Sequence, residues 1–205
     1  MTNFLTNGPS KSNCTVILAH GAGAAMDTPF MDAFAEGIAD AGYRVVRFEF
    51  PYMAERRTTG KKKAPNTAKR LIESWREVVD SVEAENTVIG GKSMGGRIAS
   101  LIADDVGAAG LICLGYPFHP VGKPEKLRTE HLAEIQIPTL IIQGERDNFG
   151  KRDEVADYTL SPNIQLEWIT DGDHSFKPRK SSGLTQEENW ATGISAVVGF
   201  LSATL

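Results

Sequence analysis

The chain alternates short apolar runs with longer segments in which apolar residues recur every three or four positions. The short runs predict buried strands, and the longer periodic segments predict helices. The predicted strands are 15–19, 45–50, 87–89, 111–114, 138–143 and 164–169, and the predicted helices are 29–41, 66–82, 95–104, 155–160 and 186–201. This alternation favours an α/β fold, with a doubly wound, mostly parallel sheet of about six or seven strands and helices on both faces.

Two stretches between these elements, 51–65 and 116–135, show no clear periodicity and are expected to be loops. Both follow predicted strands. In open α/β sheets, ligands bind beyond the carboxyl ends of the strands, so functional residues are expected in these connections.

Composition is typical of a soluble globular protein, with 41% hydrophobic and 23% charged residues. The 205 residues suffice for one core, so we expect a single domain over 1–205. There is neither an apolar run of membrane-spanning length nor a secretory signal, and Cys14 and Cys113 are expected to be free thiols, which predicts a cytoplasmic protein with no membrane insertion. The net charge of −4 argues against nucleic-acid binding.

Ser93 is the first candidate for chemistry. It stands in G-x-S-x-G, between the predicted strand 87–89 and the predicted helix 95–104. This pattern is typical of a sharp strand-to-helix turn that exposes a nucleophilic serine, and Gly91 and Gly95 let the neighbouring backbones pass. The alternative is a glycine-rich turn whose serine does no chemistry.

A serine hydroxyl needs a base to take its proton. Of the four histidines, His174 follows the last predicted strand and is the favoured base. His119 is the reserve candidate, His131 is expected at the surface, and His20 is expected to pack within its loop.

The base needs an acid to orient it. Asp147 follows strand 138–143, and the resulting chain order of Ser93, Asp147 and His174 is that of the α/β-hydrolases. Glu145 is a credible substitute, whereas Asp171 and Asp173 lie too near His174 in sequence to be favoured.

An oxyanion hole needs two backbone N–H donors. One is expected from Met94, the residue after the nucleophile, and the other from the loop after the first core strand. There Ala22 is the favoured donor, with its neighbour Gly23 as the alternative.

The motifs HGAG, GKSMGG, GERD and DGDH, in this order, resemble those of α/β-hydrolases of the dienelactone hydrolase and carboxylesterase superfamily. RFEFPYM, GGKSMGGR, LGYPFHP and GERDNFG resemble more narrowly a small family of predicted hydrolases within that fold, over about Val16 to Phe200. The resemblance implies the α/β-hydrolase fold and its triad. Many relatives insert a cap domain between 111–114 and 138–143, where this chain has room for a loop and one short helix. We therefore expect no cap domain, an open site, and missing or reduced edge strands before Cys14.

Charge is distributed unevenly. Four connections expected to rim the site (51–64, 116–131, 144–152 and 171–180) hold 14 of the 22 Lys and Arg but 7 of the 26 Asp and Glu. A basic rim favours an anionic substrate, although runs such as Lys61 to Lys63 are also typical of a solvated loop.

Several further side chains are candidates for substrate contact, namely His20, Tyr116, Phe118 and His119. Tyr116, Phe118 and Met94 are equally candidates for the core. Lys92, inside the elbow, is interpreted as structural or as a residue that supports the site without contacting the acyl group.

These observations predict a serine hydrolase, of carboxylesterase or thioesterase type, that acts on a small ester through Ser93, His174 and Asp147, and the basic rim favours an anionic ester. No cofactor and no metal are expected. The alternative function is a non-catalytic binding or scaffold domain that retains the fold. A third is a perhydrolase or dienelactone hydrolase, of which the latter is disfavoured by serine in place of cysteine at the elbow.

Overall fold

A computed structural model describes residues 3–82, 84 and 86–205. Seven strands form one sheet in the order β1-β3-β2-β4-β5-β6-β7. The strands are β1 Phe4–Asn7, β2 Thr15–Ala19, β3 Arg44–Phe48, β4 Thr87–Lys92, β5 Gly110–Leu114, β6 Thr139–Gly144 and β7 Ile164–Ile169. β1 runs antiparallel to β3, and every other neighbouring pair is parallel. The fold is therefore the predicted doubly wound α/β-hydrolase sheet, with a reduced antiparallel edge.

Helices cover both faces of this sheet. They are α1 Pro29–Asp40, α2 Pro51–Thr59, α3 Ala68–Ser81, α4 Met94–Ser100, α5 Arg152–Val155 and α6 Gln186–Thr204. Alternate residues of β2 point to opposite sides, since Val16 and Leu18 pack with α1 and α6, whereas Ile17 and Ala19 pack with α2, α3 and α4. Burial on both faces explains why the parallel strands are nearly continuous apolar runs.

Capping residues set where two of the long helices begin. Thr28 precedes α1, and its side chain accepts a hydrogen bond from the backbone N–H of Met31 over 3.4 Å. Thr185 and Glu188 form a capping box at the start of α6. Such caps satisfy N–H groups that have no partner inside the helix.

Three predicted elements differ from the observed ones. The segment 51–65 was expected to be a loop but contains α2, which begins with Pro51 at its first position, where a missing N–H costs nothing. The helix expected over 155–160 is observed earlier, as α5, and the helix expected over 95–104 ends at Ser100. The helix signal around 51–59 is weak because only Tyr52 and Met53 of α2 are buried.

The connection between β5 and β6 is described throughout. Its only helical element is the short 3₁₀ helix Glu130–Ala133, so no cap domain covers the sheet here. A second 3₁₀ helix, Lys180–Ser182, precedes α6. Cys14 and Cys113 are buried free thiols, as predicted, and burial raises the pKa of Cys14 to about 11. Over the residues that the structure describes, no helix has the length and apolarity to cross a membrane.

Candidate active site

Ser93 lies at a strained turn between β4 and α4. Its φ of 53° and ψ of −114° are unusual for a residue with a side chain. Its backbone N–H donates to the carbonyl oxygen of Leu114 over 3.0 Å, which ties the turn to β5. Gly91 has φ of 149°, and a Cβ at this position would lie 2.1 Å from the carbonyl oxygen of Ala19. Close approach of β2 therefore requires the first glycine of the elbow.

A continuous chain of hydrogen bonds joins the three residues singled out by the sequence. The hydroxyl of Ser93 donates to Nε2 of His174 over 2.9 Å, and Nδ1 of His174 donates to Oδ2 of Asp147 over 2.7 Å. The three residues come from the ends of β4, β6 and β7, which lie on one edge of the sheet because their strands are parallel. This order of groups suits a serine whose proton is taken by an oriented imidazole.

The carboxylate of Asp147 is fully buried and is held by further donors. Oδ2 also accepts from Nε2 of Gln143 over 3.0 Å, and Oδ1 accepts from the backbone N–H of Phe149 over 2.9 Å. Gln143 is itself buried, and its Nε2 also lies 3.2 Å from the carbonyl oxygens of Tyr116 and Gly150. Gln143 was not predicted from the sequence, although a polar residue that ends an otherwise apolar strand was an available signal.

The imidazole of His174 is enclosed but not sealed, with 27% of its side chain exposed. The ring of Phe149 packs against it at 4.4 Å between centroids. Burial lowers the pKa of His174 below its usual value of 6.5, and the charge of Lys92 lowers it further, while Asp147 opposes the shift. The ring is therefore neutral at neutral pH, which is the form that accepts a proton.

The loop 20–25 after β2 lies against Ser93, since a Cβ on Gly21 would sit 3.6 Å from that of Ser93. His20 fixes the start of the loop: its Nδ1 donates to the carbonyl oxygen of Gly21 over 2.6 Å, and its Nε2 accepts from the N–H of Phe50 over 3.1 Å. The hydroxyl of Tyr52 donates to the carbonyl oxygen of Ala22 over 2.9 Å. The loop is thus held by its carbonyl groups.

These contacts orient the N–H groups of the loop. In a trans peptide the N–H points opposite to the preceding carbonyl. Because the carbonyl of Gly21 faces His20 and that of Ala22 faces Tyr52, the N–H groups of Ala22 and Gly23 point away from these rings. Met94 is the first residue of α4, where an N–H has no partner inside the helix.

The four side chains expected to contact substrate are buried. Tyr116, Phe118 and His20 are 0% exposed and His119 is 2% exposed. Contrary to the expectation of substrate contact, these side chains are enclosed in the core and present no surface to a substrate. His119 is not placed as a base either, since its Nδ1 donates to the carbonyl oxygen of Pro120 and its Nε2 faces Glu154 at 3.6 Å.

His131 and Glu145 are both held by groups outside the hydrogen-bonded chain from Ser93 to Asp147. His131 was expected at the surface but is partly buried, with Nε2 at 2.8 Å from Oγ of Ser100 and 3.4 Å from the hydroxyl of Tyr116. Glu145, the substitute acid, instead accepts from Arg152 over 2.7 Å and from the N–H of Asp171 over 2.9 Å. It therefore has other partners than His174.

In the described part of the chain, no three or more His, Cys, Asp or Glu side chains are grouped so that they could hold a metal ion.

A cleft of about 230 Å³ adjoins the loop 20–25, between Gly23 to Ala25 and the α2 residues Met53, Arg56 and Arg57. A larger cleft of about 960 Å³ lies between β1, α2 and α3, and neither cleft is lined by Ser93 or His174. The size of a cleft is therefore a poor guide to the position of the site. The hydrogen-bonded chain from Ser93 to Asp147 is a better one.

Known structures share this fold. A protein of Xanthomonas campestris, described as an α/β serine hydrolase without a lid, is 19% identical with a TM-score of 0.74, covering 100% of this chain and 89% of that one. Est1E from Butyrivibrio proteoclasticus, solved with ferulic acid bound, is 17% identical with a TM-score of 0.74, covering 99% and 95%. A Pyrococcus furiosus esterase is 17% identical with a TM-score of 0.72, covering 100% and 93%.

A family profile described as an alpha/beta hydrolase domain matches residues 12–202, nearly the whole chain. The match spans every element that places the Ser93 turn, the loop 20–25 and His174. The chain therefore belongs to the alpha/beta hydrolase domain family.

Proposed function

We propose that the protein is a serine hydrolase of carboxylesterase or thioesterase type, which cleaves a small ester through Ser93, His174 and Asp147. The observation that carries the proposal is the chain of hydrogen bonds from the Ser93 hydroxyl through His174 to the buried carboxylate of Asp147. Family membership and the likeness to structures described as serine hydrolases and esterases support it.

In the proposed reaction, Oγ of Ser93 attacks the carbonyl carbon while its proton passes to Nε2 of His174. Asp147 accepts from Nδ1, so the imidazole presents its free nitrogen to Ser93. The imidazolium then gives the proton to the leaving alcohol or thiol, and an acyl-enzyme remains. A water molecule, deprotonated by the same nitrogen, releases the acid and restores Ser93.

The negative charge on the carbonyl oxygen needs donors that are already in place. We assign this role to the backbone N–H groups of Met94 and Ala22, with Gly23 as the alternative to Ala22. Support comes from the position of Met94 at the start of α4 and from the anchored carbonyls of the loop 20–25.

For the substrate, we propose a small and anionic ester. Five of the rim cations are already in ion pairs, namely Arg57, Lys63, Arg146, Arg152 and Arg179. Arg56 makes no ion pair with any described residue, and its Nη1 donates to the carbonyl oxygen of Gly23 over 3.4 Å. It lines the cleft beside the loop 20–25 and is thus available to an anionic group of a bound ester.

The reaction is tested with a fluorophosphonate probe, which labels an activated serine. We expect wild-type protein to be labelled and Ser93→Ala to be unlabelled, while thermal unfolding shows both to be folded. Absence of labelling in the folded wild type would overturn the proposal and favour a non-catalytic binding domain. Panels of p-nitrophenyl esters and acyl thioesters then separate the two hydrolase types.

The anionic preference is tested with a neutral and an anionic ester of equal acyl length. We expect Arg56→Gln to lower kcat/KM for the anionic ester by about 10-fold, the effect of losing one charged hydrogen bond, and to leave the neutral ester unchanged. Lys62→Gln, a change at an exposed lysine, is the control for general surface charge. Equal rates for both esters at low salt would end this part of the proposal.

A further inference from the structure

The side chain of Lys92 ends beneath His174. Lys92 is the residue directly before Ser93, and its Nζ donates a hydrogen bond to the backbone carbonyl oxygen of His174. One side chain thus joins the strand that carries the nucleophile to the loop that carries the proposed base. From the sequence, Lys92 was interpreted as structural or as supporting the site without contacting the acyl group.

Space for this ammonium group depends on Gly115, at the end of β5. Gly115 has φ of 70°, and a Cβ there would lie 2.6 Å from Nζ of Lys92 and 3.1 Å from the carbonyl oxygen of His174. Any side chain at this position would displace Nζ or the loop. The hydrogen bond is therefore built from three elements: β4, the end of β5 and the loop after β7.

Two aromatic rings complete the surroundings of Lys92. Nζ lies 5.2 Å from the ring centroid of Phe30 and 5.6 Å from that of Phe176, which is within the range of cation–π contacts. Lys92 makes no ion pair with any residue that the structure describes. Burial lowers the pKa of Lys92 to about 8, against the opposing charges of Asp147 and Asp173.

We propose that Lys92 is a positioning residue of the active site: its hydrogen bond fixes the backbone of His174 at the distance that Ser93 needs, and its Nζ places a positive charge beside the imidazole. The two groups are neighbours, since a Cβ on Gly115 would lie 2.6 Å from Nζ of Lys92 and 3.4 Å from Cε1 of His174. The proposal rests on the proposed function of Ser93 and His174. If the side chain at position 92 only filled space, an apolar side chain would stabilise the protein more, because a buried ammonium carries a desolvation cost.

The sign of the charge effect follows from the groups that face Lys92. These are the carboxylates of Asp147 and Asp173 and the imidazole of His174. His174 titrates below pH 6.5, where Lys92 is protonated, so the ammonium is charged while the imidazole takes up its proton. Removing that charge must raise the pKa of His174, whereas Asp147 and Asp173 would remain to favour the imidazolium.

The experiment compares wild type with Lys92→Met, which keeps the length of the side chain but removes charge and donor, and with Lys92→Gln as a second variant. The titration of His174 is followed by NMR of the imidazole, assigned with His174→Asn, and kcat and KM are measured against pH with p-nitrophenyl acetate. Lys69→Met, at an exposed lysine of α3, is the matched control.

We expect His174 to titrate at higher pH in Lys92→Met and Lys92→Gln, and the acid limb of kcat/KM to move in the same direction. We expect kcat to fall by about 10- to 100-fold, the usual effect of a small misplacement of a reacting group, with KM little changed. Lys69→Met is expected to match wild type in all three measurements. A thermal midpoint that is unchanged or raised in Lys92→Met would agree with the cost of burying the ammonium.

An unchanged His174 titration and an unchanged kcat in either folded variant would overturn the proposal. A lowered thermal midpoint with an unmoved acid limb would also overturn it, because it would show a structural role alone. The NMR titration needs no turnover, so it decides the charge effect even if the fluorophosphonate probe fails to label wild type. That failure would count against the proposed function and not against the charge effect.

Discussion

The hydroxyl of Tyr52, on α2, donates a hydrogen bond to the carbonyl oxygen of Ala22 over 2.9 Å. A helix that the sequence did not predict thereby holds the loop that faces Ser93. Burial raises the pKa of Tyr52 to about 12, so the phenol keeps its proton at acidic, neutral and mildly alkaline pH. The donor is therefore constant with pH.

Tyr52→Phe tests whether this bond places the proposed oxyanion donor. We expect kcat for an ester to fall by about 3- to 10-fold, with KM little changed, because one neutral hydrogen bond contributes about 0.5–1.5 kcal/mol. The measurement is steady-state kinetics with p-nitrophenyl acetate. The control is Tyr158→Phe, the same change at a partly buried tyrosine elsewhere in the chain. Equal rates in wild type and Tyr52→Phe would contradict the assignment.

Asp147→Asn tests which carboxylate orients His174. We expect kcat to fall by about 10⁴-fold, because an amide at this position favours the wrong tautomer of His174. Glu145→Gln is the matched control, since Glu145 contacts Arg152 and Asp171 instead. A larger loss in Glu145→Gln than in Asp147→Asn would reverse the assignment of the acid.

Gln143→Leu tests the support beneath Asp147. The substitution removes the donor shared by Asp147, Tyr116 and Gly150, and so takes one hydrogen bond from each of three buried acceptors. We expect the free energy of unfolding to fall by about 1–3 kcal/mol, as measured by urea denaturation, together with a fall in kcat. Gln165→Leu, on the exposed face of β7, is expected to leave both quantities near wild type.

His131→Gln tests a source of pH-dependent stability. Burial, and then the charge of Arg97, lower the pKa of His131 to about 4 from 6.5. Between these values the unfolded chain takes up a proton that the folded chain does not, so the free energy of unfolding falls as pH falls from 6.5 to 4. Above pH 6.5 the contribution is fully present.

We expect His131→Gln to show a smaller loss of stability over that range than wild type, in urea midpoints measured at pH 7, 5.5 and 4.5. Part of the slope must persist, because the pKa values of His20 and His174 are also lowered by burial. Parallel curves for the two proteins would show that His131 titrates in the same range whether folded or unfolded.

Apolar runs predicted β2 to β7, and the elbow pattern predicted the turn that carries Ser93, because both are local signals. The edge strand β1 was expected to be missing or reduced. The sequence did not predict α2, whose exposed face is polar and whose buried residues are few. Nor did it separate packing from substrate contact at Tyr116 and Phe118, because both uses call for the same aromatic side chains. Contacts such as Lys92 with His174 join residues far apart in the chain and leave no local pattern.

The strained backbone of Ser93 affects the stability of the protein. Holding a non-glycine residue at φ 53° and ψ −114° costs about 1–3 kcal/mol, which the surrounding contacts must offset. Glycine would adopt this conformation with less strain, so the hydroxyl that the proposed reaction requires at position 93 conflicts with maximal thermal resistance. This position is thus one where selection for chemistry and selection for durability would choose different residues.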